Sequence, residues 1–165
     1  MKNGEKNKPT LGSFSDERVL DVCRLLNDEG AEYLVIGGIA VQLHGVMRLT
    51  KDIDLLIPRD EKNAEKVIEA LTNIGFGIAR ELSAEEVVKK PFTIIGDIPR
   101  VDLITVANKI KYSEAVETAL QAKVDGVKIP YVGLDILIQT KKTNRHQDKS
   151  DIEDLEMVSK KKKLS

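Results

Sequence analysis

The sequence predicts an α+β fold, a small mixed β-sheet flanked by helices, with further helices at the C-terminal end. Apolar stripes at helical spacing alternate with short apolar runs through the first half of the chain. The second half adds a strand pair and an Asp-Gly turn before two closing helical stretches. No repeat, low-complexity block or long linker intervenes, so one domain is expected over residues 13–160, between a flexible tail at 1–12 and a basic tail at 161–165.

The first expected helix covers residues 16–29, with Val19, Val22, Cys23 and Leu26 on one face, Ser15 placed to cap it and Gly30 to end it. Residues 33–36 read as a buried strand that breaks at Gly37-Gly38. A short helix follows over 39–45, with Ile39, Leu43 and Val46 at helical spacing, and then a strand over 52–58. Asp60 can cap a helix over 61–74, whose stripe is Val67, Ala70, Leu71 and Ile74 and whose stop is Gly75. The charged stretch 79–90 holds a short helix that Pro91 ends. Residues 92–95 and 100–106 form a hairpin joined through 96–99. A helix over 112–122, the tight turn at Asp125-Gly126 and helices over 134–142 and 148–160 complete the chain.

Composition excludes several classes of function. A formal charge of −1 over 165 residues gives no global positive field to hold a long nucleic acid, so extended non-specific DNA binding is not expected. No run approaches the roughly 20 apolar residues of a membrane span, and no apolar stretch follows the lysine-rich start as a secretory signal requires. The single cysteine, Cys23, has no partner for an internal disulfide and lies on an apolar stripe. It reads as a buried structural thiol, and the expected compartment is the cytoplasm. Lys160, Lys161, Lys162 and Lys163 suit a solvated helix end, and His44 and His146 lack paired metal-ligand spacing.

The chemistry is concentrated between Gly37 and Asp54. Side chains alternate across a strand, so Asp52 and Asp54 share one face while Ile53, Leu55 and Ile57 take the other. Two carboxylates about 4 Å apart repel by about 4 kcal/mol at an effective dielectric of 20, and a hard divalent cation relieves this best. Gly37-Gly38, between a strand and a helix, lets bare backbone N–H groups approach an anion. Taken singly, the glycine pair could merely permit a tight turn and the acids could merely face solvent on an edge strand.

Together they resemble the signature of the nucleotidyltransferases of the DNA polymerase β superfamily: an apolar strand, Gly-Gly, a spacer and Asp-x-Asp. The string Arg48-Leu49-Thr50-Lys51-Asp52-Ile53-Asp54 looks most like the small bacterial branch of minimal nucleotidyltransferases and abortive-infection toxins. The superfamily's third carboxylate has its best match in Asp102. The resemblance extends to a Lys-rich, Arg-x-x-Asp-x-x-Asp helical region with Lys141, Arg145, Asp148 and Asp151, where the acids also suit a helix start without chemical duty.

The resemblance implies a polymerase β-like fold and transfer of an NMP, by default AMP, from an NTP to a hydroxyl acceptor. It implies two Mg²⁺ ions, or Mn²⁺, held by Asp52, Asp54 and Asp102, with Asp102 also orienting or deprotonating the acceptor. Gly37, Gly38, Arg48, Thr50 and Lys141 become candidate nucleotide contacts, Arg48 and Lys141 as phosphate-binding cations. The acceptor is left open among a protein hydroxyl, an RNA 3′ end and a small molecule. Two other readings stand beside this one: a hydrolase or glycosyltransferase using the Asp pair, and a non-catalytic nucleotide-binding or toxin–antitoxin-type interaction protein that keeps the fold. A haloacid-dehalogenase-type site is disfavoured, because Leu55-Leu56-Ile57 simply continues the strand.

Overall fold

A computed structural model describes residues 16–96 and 100–164. The expected N-terminal tail, the Ser15 cap and the turn residues Asp97, Ile98 and Pro99 lie outside the described residues.

Helix α1 (Asp16–Asp28) carries the predicted stripe, and Val19, Val22, Cys23 and Leu26 are fully or almost fully buried. Each fully buried aliphatic side chain of this kind stabilises the fold by about 1.5–3 kcal/mol relative to exposure. Strand β1 (Leu34–Ile36) runs directly into α2 (Gly37–Leu43), which packs against β1 and against β2 (Asp52–Leu56). Helix α3 (Glu61–Asn73) packs against α1. Asp60 stands at its N-cap position as expected, although its side chain makes no capping bond. The stretch 79–90 resolves into a 3₁₀ turn (Gly77–Glu81) and α4 (Ala84–Lys89), which is capped by Ser83 through its hydroxyl at 3.4 Å from the Glu86 N–H.

The strands β3 (Phe92–Ile95) and β4 (Arg100–Ile104) are antiparallel neighbours, as the sequence predicts. A small hairpin, β5 (Val106–Ala107) and β6 (Ile110–Lys111), comes next and was not expected. Its turn residues Asn108 and Lys109 have φ of 46° and 72°, the double left-handed conformation of a type I′ turn.

The helix expected over 112–122 is a correction. Helix α5 covers only Tyr112–Ala115, a 3₁₀ turn takes Val116–Thr118, and Leu120–Val124 is strand β7. Strand β7 pairs antiparallel with β8 (Val127–Tyr131) across the Asp125-Gly126 turn, where both residues have positive φ. Pairing across that turn outweighs the helical spacing of the preceding apolar residues. Helices α6 (Leu134–Thr140) and α7 (His146–Leu164) pack on each other and close the chain. No described helix is long and apolar enough to cross a membrane.

The main sheet has six strands in the order β3-β4-β2-β1-β8-β7, mixed in direction, with β2 parallel to β4 and β1 antiparallel to β2. This places β2 and β4 side by side in the interior of the sheet. One face of the two strands, Ile53, Leu55, Val101 and Leu103, is buried. On the other face Asp52, Asp54 and Asp102 remain partly open to solvent.

Candidate active site

The register of β2 on β4 sets the site. Asp54 stands directly opposite Asp102, and Asp52 opposite Arg100, so strands distant in sequence bring three carboxylates to one face. Cross-strand neighbours of this kind have Cβ atoms only about 5 Å apart. Burial, followed by the charges of Asp102 and Asp52, pushes the Asp54 carboxyl up from the ordinary 3.8 to about 7, although Lys141 and Arg100 pull the other way. Burial and the neighbouring carboxylates therefore outweigh the two cations that act on this carboxyl.

The glycine pair is explained by close approach. Gly37 has φ of +70°, and a Cβ placed on it would lie 2.1 Å from Asp54 Oδ2. A Cβ on Gly38 would lie 2.8 Å from the Thr50 Cβ. The strand-to-helix turn is thus pressed against both the acidic face and the residue leading into β2. Thr50 Oγ1 in turn accepts from the Asp52 N–H at 3.3 Å. Gly37→Ala is expected to lower turnover by about 100-fold, the cost of misplacing a reacting group by about 1 Å. On the expectation that Asp54 is a metal ligand, its displacement should be visible as an altered metal affinity in calorimetry, and an alanine variant with unaltered metal affinity and turnover would refute this reading of the glycine.

Arg100 is the residue that sequence reasoning missed. Its Nε and Nη2 donate to Asp102 Oδ1 and Oδ2 at 2.8 and 3.1 Å, a two-pronged pair on the face that carries Asp54. An arginine two positions before a carboxylate on a strand must share that carboxylate's face, and this alternation was the available signal. Among the described residues no group of three or more His, Cys, Asp or Glu side chains is arranged to hold a metal ion. Both oxygens of Asp102 are taken by the guanidinium.

The two candidate phosphate cations are brought together elsewhere on the same structure, by Asp151. This fully buried carboxylate accepts from Arg48 Nε at 2.9 Å, Lys141 Nζ at 2.8 Å and Gln147 Nε2 at 2.9 Å. Lys141, only 5% exposed, also pairs with Asp148 at 3.5 Å. Asp148 accepts from Arg145 Nε at 2.9 Å and from the Thr143 hydroxyl at 2.6 Å. Burial raises both carboxyls, but hydrogen bonds from these partners outweigh it and hold Asp148 and Asp151 below the ordinary range. Lys141 is felt at Asp54, so the cationic cluster and the acidic face belong to one electrostatic neighbourhood.

The remaining candidates have structural surroundings. His44 is buried, with Nε2 at 2.8 Å from the Val132 carbonyl and its ring edge-on to Tyr131. Cys23 is fully buried and its thiol is pushed up to about 12, mainly by burial.

A mixed sheet with a strand, Gly-Gly and helix leading to paired acids, and a third acid on the neighbouring parallel strand, defines a nucleotidyltransferase of the polymerase β type. The family model for aminoglycoside-2″-adenylyltransferase matches residues 18–155, and the chain belongs to that family. It is therefore a nucleotidyltransferase enzyme.

Two solved structures share the fold. The lincomycin-bound lincosamide antibiotic adenylyltransferase LnuA superposes with a TM-score of 0.58 at 16% identity, over 89% of this chain and 99% of that one. An antigenic nucleotidyltransferase-like protein from Paracoccidioides brasiliensis gives a TM-score of 0.55 at 17% identity, over 90% of this chain and 77% of that one. A comparison with curated proteins finds no match.

Proposed function

We propose that the enzyme transfers AMP from ATP to a hydroxyl group of a small molecule, with Asp52, Asp54 and Asp102 as its metal-binding and catalytic acids. The observation that carries this is the Asp54–Asp102 register pair, with Gly37 backed against Asp54. A small-molecule acceptor is favoured because the family takes its name from adenylyl transfer to aminoglycosides and a neighbour in fold is an adenylyltransferase that holds lincomycin.

The donor set suits a hard divalent cation: three carboxylates, one of them raised to about 7 by burial and then by its acidic neighbours, and no soft ligand. Asp52, Asp54 and, once released by Arg100, Asp102 would hold Mg²⁺. When bound, such ions neutralise the triphosphate and the charge that develops on the entering and leaving oxygens. The chain's own groups do the rest. The Gly37-Gly38 backbone admits the phosphates close to the start of α2. Arg48 and Lys141, oriented by Asp151, supply positive charge toward them. Asp102 accepts the proton of the acceptor hydroxyl, whose oxygen forms a bond to the α-phosphorus as the bond to pyrophosphate breaks.

Thermal stabilisation by each NTP with Mg²⁺ tests nucleotide binding, and label transfer from α-labelled ATP tests turnover. Asp102→Asn is expected to retain the nucleotide-dependent stabilisation while losing transfer by about 10²–10⁴-fold. Absence of any metal-dependent nucleotide stabilisation in the wild type would overturn the proposed function, and unaltered transfer in the Asn variant would remove Asp102 from it.

A further inference from the structure

The three acids of the site do not stand alike. Among the described residues Asp52 and Asp54 take part in no ion pair, whereas Asp102 is held through both oxygens by Arg100. Parallel register sets Arg100 directly opposite Asp52 and Asp102 directly opposite Asp54, so the guanidinium and the carboxylates share one face of β2 and β4. The acids are neighbours in register and yet, among the described residues, form no group arranged to hold a metal ion. Asp102 is the one already bonded to a cation.

This pair is built to open, unlike the other arginine–aspartate pair near the site. Asp151 is fully buried where Arg48 reaches it, but the Arg100 side chain is 44% exposed and that of Asp102 16%. A solvated ion pair adds at most about fivefold to an equilibrium, the equivalent of about 1 kcal/mol. A divalent cation carries twice the charge of a guanidinium and can be shared with Asp54, so it outcompetes the arginine. Release needs no movement of the strand. Val101 and Leu103, on either side of Asp102, are buried and hold β4 in the core while the side chains on the other face turn.

We propose that Arg100 is a positioning residue that keeps the place of a metal ion at Asp102 and thereby sets the order in which the site is loaded. Asp52 and Asp54 are unpaired and take the first divalent ion, together with the nucleotide. Arg100 retains Asp102 until a second ion displaces the guanidinium. The acid that receives the acceptor's proton is withheld until then, so water that meets a half-loaded nucleotide finds no free base. This rests on the nucleotidyl-transfer reading and adds to it a sequence of events and the residue that imposes it.

The test is NMR of the whole chain, titrated with Mg²⁺ in the presence of a saturating non-hydrolysable ATP analogue. The Gly37 and Gly38 amides follow the nucleotide and its first ion, while the Asp102 amide and the Arg100 Nε–H follow the second. In the wild type the Asp102 and Arg100 signals are expected to move together, at a Mg²⁺ concentration at least about threefold above the glycine midpoint. Arg100→Gln should bring the Asp102 midpoint down to that of the glycines, whose own nucleotide shifts persist and report a folded variant. Arg100→Lys keeps the charge but cannot grip both oxygens, so its Asp102 midpoint should fall between the two. An Arg100 Nε–H that keeps its metal-free position at saturating Mg²⁺ would overturn the proposal, as would coincident midpoints in the wild type or an unaltered Asp102 midpoint in Arg100→Gln. A lysine variant indistinguishable from the wild type would assign the effect to net charge alone and overturn it too. Missing nucleotide shifts at Gly37 and Gly38 in the wild type would instead remove the nucleotidyl-transfer reading, and the role of Arg100 with it.

Discussion

Asp54→Asn should lower nucleotidyl transfer by on the order of 10³-fold and, in the absence of divalent metal, make the protein more stable at pH 8 than the wild type. The two effects have one cause. The Asp54 carboxyl is lifted to about 7 by burial and by Asp102 and Asp52. A group whose folded value lies above its unfolded value of 3.8 binds more protons in the native state between those limits. Metal-free stability therefore falls as pH rises from about 4 to about 7 and levels off above, by at most about 4 kcal/mol at 1.36 kcal/mol per pH unit. Asparagine does not titrate, so the variant should lose most of that slope and gain little from added Mg²⁺. Urea unfolding from pH 4 to 8, with and without Mg²⁺, measures both. An unaltered pH slope in the variant would show that the acidic face carries no such strain.

Asp151→Ala should be strongly destabilising, costing about 3–5 kcal/mol and lowering the melting temperature by roughly 10 °C. It would leave buried Lys141 with only the longer 3.5 Å contact to Asp148 and would free Arg48 altogether from its carboxylate. Lys141→Met should cost less, because Arg48 and Gln147 still satisfy Asp151. Both Asp148 and Asp151 are held below the ordinary carboxyl range, so their contribution is complete above about pH 4 and is lost as pH falls through their folded values. A double-mutant cycle of Asp151 and Arg48, read by calorimetry, isolates the longer-range pair. A coupling of zero would mean that the loop bearing Arg48 is positioned by other contacts.

Much of this was legible in the sequence because the signals were local. The stripe of α1, the strand 34–36 ending at the glycine pair, the alternation around Asp52 and Asp54, and the Asp125-Gly126 turn each depend on residues close together in the chain. The misreading at 112–122 arose where local spacing was ambiguous and a non-local partner, β8, decided the outcome. Arg100 escaped for a related reason, since a search for acids that hold metal gives no weight to a cation among them. Nor could spacing foresee that Arg48 and Lys141 share one buried carboxylate 103 and 10 residues away. Residue types announce chemistry, but shared partners appear only when strands and helices are placed.

The Arg48–Asp151 bond also sets an order of events during synthesis. The glycine turn and the paired acids leave the ribosome early, and β4 completes the acidic face soon after. The counter-charge that orients Arg48 and Lys141 sits near the start of the final helix. A contact spanning 103 residues is expensive to close early, and emerging chain folds from its N-terminal side first. On the proposed reading of Arg48 and Lys141 as phosphate contacts, the acidic face precedes its cationic counterpart in synthesis, and the two cations gain their shared partner only when α7 docks.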